Sequence, residues 1–136
     1  MEAPIRTFED LECWKACREM RAFVAKTVCK TLPKDERYRL ADQILRAARS
    51  TTANIAEGYG RFHFLDNAKF CSNSRGSCQE TLDHLITAYD EEMISDELLA
   101  DGRALVARSI ALLNGYISYL QKAHQAKGTA QEPNNK

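Results

Sequence analysis

The sequence has no excess of either charge, and it is poor in glycine and proline. Its 136 residues include 19 Lys and Arg against 19 Asp and Glu, so the formal net charge is zero. This balance excludes a uniformly basic nucleic-acid binder of the histone type. The chain has only 6 glycines and 3 prolines, which disfavours a turn-rich all-β fold and a disordered chain. The length is that of one domain.

Long apolar runs are also missing. No stretch approaches the ~18 consecutive apolar residues that a transmembrane helix needs. The first residues, 1–6, lack the basic region and apolar run of a secretory signal. We therefore expect a cytoplasmic protein that does not contact a membrane.

The cysteines do not show the spacing of a metal site. They are Cys13, Cys17, Cys29, Cys71 and Cys78, and no Cys-x-x-Cys pair occurs among them. Together with His63, His84 and His124 they offer enough ligands for zinc in principle. The interpretation we favour is that they are small core residues of a protein in a reducing compartment. No metal and no cofactor are predicted.

Motifs of known catalytic chemistry are missing as well. No glycine-rich phosphate loop follows a strand, and no nucleophile stands with a base and an orienting group. Glu80 and His84 are spaced four apart, not three as in the paired Glu-x-x-His motifs of di-iron bundles. The prediction is a non-enzymatic protein, and a bundle enzyme or metalloprotein is the least favoured alternative.

Apolar residues recur at helical spacing in four segments. They predict helices near 10–31, 35–59, 65–93 and 96–125. Short connections between such helices predict an all-α, antiparallel up-down four-helix bundle. The bundle domain is expected to span residues 1–126, and the polar residues 127–136 are expected to form a disordered tail.

Particular residues indicate where these helices end and how they pack. Pro33 ends the first helix, Gly58 and Gly60 are expected to break the second, and Ser95 is a good N-cap for the fourth. Gly76 lies inside the third helix, where glycine costs ~1 kcal/mol relative to alanine. The compensation we expect is the close approach of a neighbouring helix.

Charge is distributed unevenly along the chain. Residues 1–61 carry twelve basic and nine acidic side chains (+3), residues 62–101 carry two and nine (−7), and residues 102–136 carry five and one (+4). Such asymmetry can orient self-association or attract a charged partner. A solvated surface without a partner explains it equally well.

A polar stripe lies beside the apolar stripe of the second helix. Its members are Gln43, Arg46, Ser50, Asn54, Glu57 and Arg61. Serine and asparagine in mid-helix suggest hydrogen bonds between helices, and the expected partners on the third helix are Ser74, Ser77 and Glu80. We favour a structural polar network, with Glu57 neutralising Arg46 or Arg61, over an exposed recognition stripe.

The segment from Gln43 to Arg61, above all Asn54-Ile55-Ala56-Glu57-Gly58-Tyr59-Gly60-Arg61, carries a family resemblance. It resembles the bacterial four helix bundle protein family, which includes proteins encoded in intervening sequences of large-subunit ribosomal RNA genes. That family is related to the accessory variability proteins of diversity-generating retroelements. The resemblance covers about residues 8–122. The chain has Ser50-Thr51-Thr52-Ala53 where the family pattern has Ser-Ile-Pro-Ser, so its second helix is expected to be straighter.

The resemblance implies a cytosolic, non-enzymatic bundle that self-assembles, typically into a five-fold ring. It also implies binding of RNA or DNA and of a reverse transcriptase through basic surfaces. The basic candidates for such a surface are Lys15, Arg18, Arg21, Arg39, Arg46, Arg49 and Arg61. The motif residues assigned to the structural network are Gln43, Ser50, Asn54, Glu57, Gly58, Ser77 and Glu80. The alternative is a structural or protein-binding bundle without nucleic-acid activity.

Overall fold

The computed structural model describes residues 4–131, and the side chains up to Lys127. The first helix, α1, consists of an α-helical segment Glu12–Phe23, a π-helical segment Val24–Val28 and a last turn Cys29–Thr31. The other helices are α2 (Leu40–Tyr59), α3 (Phe64–Asp90) and α4 (Asp96–Gln131).

The four helices form a bundle in which each contacts its two neighbours. Helix α2 lies between α1 and α3, and α4 closes the ring by packing against α3 and α1. The predicted all-α four-helix bundle is therefore confirmed. One end of the bundle combines the start of α1, the α2–α3 turn and the C-terminal part of α4, and we call it the α2–α3 end. The opposite end combines the α1–α2 and α3–α4 turns, and we call it the α3–α4 end.

The core runs along the middle of the bundle and takes side chains from every helix. Among its fully buried members are Met20, Val24, Ile44, Leu85 and Leu113. Burying a side chain of this size stabilises the fold by about 1.5–3 kcal/mol. The apolar stripes of the sequence thus mark the faces that pack together.

The predicted helix boundaries hold to within a few residues at most ends, with local differences. A 3-10 turn, Phe8–Asp10, precedes α1, and its N-cap Thr7 forms a capping box with Asp10. After Pro33 the chain makes a second 3-10 turn, Lys34–Glu36, so α2 begins at Leu40 and not near residue 35. The Leu40 backbone N–H donates to the Glu36 carboxylate at 3.3 Å, which supplies a partner at the helix start.

The ends of α3 and α4 also differ from the prediction. Helix α3 ends at Asp90 rather than near residue 93, because the turn to α4 includes Glu92 with a positive φ of 63°. Ser95 caps α4 as expected, since the Leu98 N–H donates to its Oγ at 3.1 Å. Helix α4 continues to Gln131, beyond the predicted end near residue 125. Residues 132–136 of the predicted tail lie outside the described residues.

Gly60 directly follows the end of α2 as expected, but Gly58 and Gly76 act differently from the sequence expectation. Gly58 does not break α2 but lies buried inside it, where a Cβ would approach within 2.8 Å of Asn67 Oδ1 and 2.9 Å of Phe70 Cβ. Gly76 faces outward, and a Cβ there would meet no atom within 4 Å. The close approach of α2 and α3 is therefore made at Gly58. The expectation that a neighbouring helix approaches closely at Gly76 is wrong for the residues that the structure describes.

No helix in residues 4–131 combines the length and apolarity that crossing a bilayer requires.

Candidate nucleic-acid interface

A line of basic side chains follows the contact between α1 and α2. Arg21 is partly buried there, and its Nη1 donates to Thr52 Oγ1 at 2.7 Å. Thr52 in turn donates to the backbone oxygen of Arg49 at 3.3 Å. Since a neutral hydroxyl does not cancel the guanidinium charge, Arg21 brings a net positive charge to this contact.

Two more arginines extend this positive surface. Arg18 is exposed one turn before Arg21, and its guanidinium lies 5.5 Å from the centre of the Trp14 ring. Arg49 is exposed on α2, and its charge counteracts the rise that burial gives to the pKa of Cys29 on α1. Arg49 also precedes by one turn Thr52, the residue to which Arg21 donates. We call Arg18, Arg21 and Arg49 the seam arginines.

The other basic candidates stand next to carboxylates. Their ion pairs are Lys15–Glu12 at 3.0 Å, Arg39–Glu36 at 3.8 Å, Arg46–Asp42 at 3.1 Å and Arg61–Glu57 at 3.4 Å. All of these pairs join residues three or four apart, and in each the cation is exposed, so they contribute little to stability. They do, however, compensate the cationic charge locally. The seven candidates therefore separate into three seam arginines and four paired cations.

The polar stripe of α2 makes a small hydrogen-bonded cluster with α3. The hydroxyls of Ser50 and Ser77 are 2.9 Å apart, and Asn54 Nδ2 donates to both the Oγ and the backbone oxygen of Ser50 at 2.9 Å. Close by, Ser74 Oγ donates to the backbone oxygen of Thr51 at 2.8 Å. Two of the three expected partners on α3 thus face α2.

The remaining stripe residues lie outside this cluster. Gln43 is exposed, Glu57 pairs with Arg61 at the surface, and Glu80 lies 3.3 Å from His84 Nε2 on its own helix. Gly58 belongs to the α2–α3 packing described above. The structure therefore joins Ser50, Asn54 and Ser77 but places Gln43, Glu57 and Glu80 at the surface.

The cysteines lie mostly in the core. Cys13, Cys17, Cys71 and Cys78 are buried, and the sulfurs of Cys17 and Cys78 are 3.9 Å apart. Burial raises the pKa of Cys13 and that of Cys71 to about 12. Within the described part of the chain, no three metal-binding side chains cluster closely enough to hold an ion.

A cavity of about 800 Å³ opens at the α2–α3 end. Its aromatic lining consists of Tyr59, Phe62, His63, Phe64, Tyr116 and Tyr119. Lys15 and Arg61 also line it, whereas the seam arginines do not. The sequence does not predict this cavity, because Tyr59 and Tyr116 recur with the apolar residues of their helices, and such spacing predicts core positions. The available signal was Phe62-His63, two aromatic rings directly after the break at Gly60.

A shallower groove of about 480 Å³ runs between α3 and α4 on the outside of the bundle. Its apolar lining includes Leu82, Val106, Ala107, Ile110 and Ala111. Gly115, one turn beyond Ala111, is exposed, and a Cβ there would meet nothing within 4 Å. The α3–α4 face therefore has a shallow, partly apolar groove bordered by small residues.

A model of the family described as 23S rRNA-intervening sequence protein matches residues 9–115. The match covers α1, α2, α3 and more than half of α4, and it confirms the resemblance stated above. The family is of a helical, non-catalytic kind. No curated protein matches the chain.

Proposed function

Because the chain belongs to the 23S rRNA-intervening sequence protein family, we propose that it is a non-enzymatic, self-associating bundle that binds nucleic acid through its seam arginines. The proposed contact is with the phosphate backbone, since arginine forks match phosphate oxygens and carry no base information by themselves. Neutral net charge is compatible with such binding because the positive charge is local.

The observation that carries this proposal is the state of Arg18, Arg21 and Arg49. In the described residues no carboxylate lies within 4.0 Å of any of them, whereas the other four candidates are paired. An unpaired guanidinium neutralises a phosphate and releases its counterions. A paired one must first give up its carboxylate.

The test compares two neighbouring arginines on α2. Arg49→Gln is expected to weaken binding of a structured RNA about tenfold, the value of one charge-assisted hydrogen bond. Arg46→Gln removes the same formal charge one turn away, but its charge is compensated by Asp42, so a smaller loss is expected. Fluorescence anisotropy at low salt measures both. Equal losses for the two variants would contradict a specific role of the seam.

Self-association is supported by the groove between α3 and α4. Exposed Ala107, Ala111 and Gly115 leave room for another helix to approach closely, and Leu82 and Val106 supply apolar contact at the floor. Opposite charges on successive segments favour pairing of one copy with another. The occupant we propose for this groove is a second copy of the chain.

Replacing an alanine in the groove tests this contact. Ala111→Glu puts a charge into the groove, so the protein is expected to fall to the mass of one chain, 15.4 kDa, whereas the wild type has a multiple of it. Ala53→Glu on α2 is the control, because Ala53 is exposed on a different helix. Light scattering after size-exclusion chromatography gives the masses. A monomeric wild type, or an unchanged Ala111→Glu assembly, would refute the contact.

A five-fold ring and a reverse-transcriptase partner, both implied by the resemblance, stay predictions. The competing proposal is a structural bundle without nucleic-acid activity. It is favoured if the wild type assembles but retains no RNA or DNA at low salt.

A further inference from the structure

The aromatic cavity at the α2–α3 end has a composition that the bundle itself does not explain. Phe62 is 86% exposed and Tyr119 is 60% exposed, so these rings contribute little to the core. Tyr119 stacks on Tyr116 with the ring centres 6.1 Å apart and an angle of 14°. Phe62 meets His63 edge to face at 5.1 Å. The rings of Tyr116 and Tyr119 thus lie parallel, and those of Phe62 and His63 lie edge to face, around an open space.

The polar floor of the cavity holds one of these rings in place. Asn67 is buried, and its Nδ2 donates to the hydroxyl of Tyr116 at 2.9 Å. The Asn67 Oδ1 accepts from the Cys71 thiol at 3.5 Å. Tyr116 is therefore fixed from α3, and Tyr119 is supported by the ring of Tyr116.

Cations surround the same cavity. Lys15 and Arg61 line it, and Lys127 Nζ lies 5.7 Å from the centre of the Phe62 ring. Lys15 and Arg61 are paired with Glu12 at 3.0 Å and with Glu57 at 3.4 Å, so a phosphate must displace these carboxylates to reach them. Lys127 has no carboxylate within 4.0 Å among the described residues. Asp10 Oδ2 accepts the backbone N–H groups of Arg6 and Thr7 at 2.9 and 3.1 Å.

Aromatic rings next to cations are the combination that binds unpaired nucleotides, since bases stack on the rings and phosphates meet the cations. We propose that this cavity is a stacking site for an unpaired base of a single-stranded nucleic acid. The inference rests on the proposed nucleic-acid binding and deepens it by specifying the strand. A base inside a duplex cannot enter, because both of its faces are already stacked.

The path of the strand follows from α1. Lys15, Arg18 and Arg21 succeed each other along this helix, and six residues of α-helix rise by about 9 Å. Lys15 lines the cavity and Arg21 is a seam arginine, so one continuous basic path joins the two sites. A strand whose base lies in the cavity can therefore place its adjoining phosphates at the seam arginines.

The α3–α4 turn, at the opposite end of the bundle, disfavours nucleic acid. Asp90, Glu91 and Glu92 lie at the end of α3, and Asp96 and Glu97 begin α4. These carboxylates repel phosphate. The last turn of α1 and the α1–α2 turn, at the same end, carry Lys30, Lys34, Arg37 and Arg39, so this repulsion is confined to the α3–α4 turn.

Exposed aromatic residues at the two ends allow a matched test. Phe62→Ala and Tyr119→Ala are each expected to weaken binding of an unstructured single-stranded RNA about tenfold and to leave duplex RNA affinity unchanged. Tyr38→Ala is the control, because Tyr38 is 85% exposed in the α1–α2 turn at the other end. Fluorescence anisotropy gives the affinities, and circular dichroism checks that each variant is folded.

Three results would overturn the inference. If Phe62→Ala and Tyr119→Ala bind single strands as the wild type does while Arg49→Gln is weakened, the cavity has no role but the seam proposal stands. If the wild type binds no nucleic acid, both fail. If the two aromatic variants change the mass in solution and not the affinity, the cavity is an interface between protein chains.

Discussion

Arg46 and Arg49 are one turn apart on α2, yet their charges have different surroundings. Arg46 Nε lies 3.1 Å from the Asp42 carboxylate, whereas Arg49 has no carboxylate within 4.0 Å among the described residues. A composition that sums to zero hides this difference. Whether an arginine is free to bind a phosphate therefore depends on its own neighbours. For this reason the Arg49 variant is compared with a variant of the paired Arg46.

The buried thiols lead to a prediction about alkaline pH. Burial raises the pKa of Cys71 to about 12, above the ordinary value of 9.0. Between these two pH values the unfolded chain loses a proton that the folded chain keeps, so the free energy of unfolding falls as pH rises. The expected fall is at most about 1.4 kcal/mol per pH unit for each such thiol.

Guanidinium chloride unfolding under reducing conditions at pH 7 and pH 10 measures this effect. Cys71→Ala is expected to be less stable at pH 7, because it leaves a small cavity, but to lose less stability on going to pH 10. Lysine and tyrosine titrations are common to both proteins and cancel in the comparison. An identical pH dependence for the two proteins would show that the Cys71 thiol ionises normally in the fold.

At the scale of the elements, the contact between α2 and α3 depends on small residues at two levels. Ser50 and Ser77 meet through their hydroxyls in the middle of the helices. Near the end of α2, Gly58 lies against Asn67 and Phe70. The polar motif of α2 thus fixes how closely and in which register the two helices pack.

A glycine pair tests the close approach. Gly58→Ala would place a Cβ 2.9 Å from the Asn67 backbone oxygen, so the helices must separate, at a cost of about 1–3 kcal/mol in unfolding free energy. Gly60→Ala is the control, since its Cβ would lie no closer than 3.5 Å to its nearest neighbours and the residue has a φ of −75°. It is expected to be neutral or to stabilise by about 0.4–1 kcal/mol. Chemical denaturation measures both, and equal stabilities would argue against a tight contact at Gly58.

Sequence periodicity predicted the four helices and their pairing into a bundle, because apolar spacing reports directly which face is buried. It did not predict the π-helical segment Val24–Val28 or the 3-10 turn Lys34–Glu36. The geometry of such segments depends on tertiary packing, which the spacing of apolar residues does not report. The apolar pattern remains the same there, since both Val24 and Val28 are buried.

The candidate sites were less predictable for a related reason. Basic residues and their pairing within one helix can be read from the sequence, since Asp42 stands four residues before Arg46 and no acidic residue stands three or four positions from Arg49. The sequence does not show contacts between helices, such as that of Arg21 with Thr52. The aromatic cavity joins Tyr59 of α2 to Tyr119 of α4, which are distant in sequence, and helix spacing alone assigns such rings to the core. Only the assembled bundle shows that Phe62 and Tyr119 remain exposed.

At the scale of the whole molecule, the two ends of the bundle differ in charge and chemistry. The α2–α3 end combines an aromatic cavity with Lys15, Arg61 and Lys127, and the α3–α4 end carries clustered carboxylates. Six of the nine acidic side chains of residues 62–101 thus lie around the α3–α4 turn, and the basic α1–α2 turn lies at the same end of the bundle. In an assembly in which copies pair through their α3–α4 faces, the seam arginines on α1 and α2 of each copy would remain accessible.

Binding of nucleic acid by the seam arginines is expected to depend on salt, because each phosphate contact releases counterions. The measurement is the affinity of the wild type for a single-stranded RNA across a series of salt concentrations. Three phosphate contacts predict that log K falls with log salt with a slope of about −2, and Arg49→Gln should make the slope shallower by about 0.7. No binding at low salt, or the same slope in both proteins, would contradict the account.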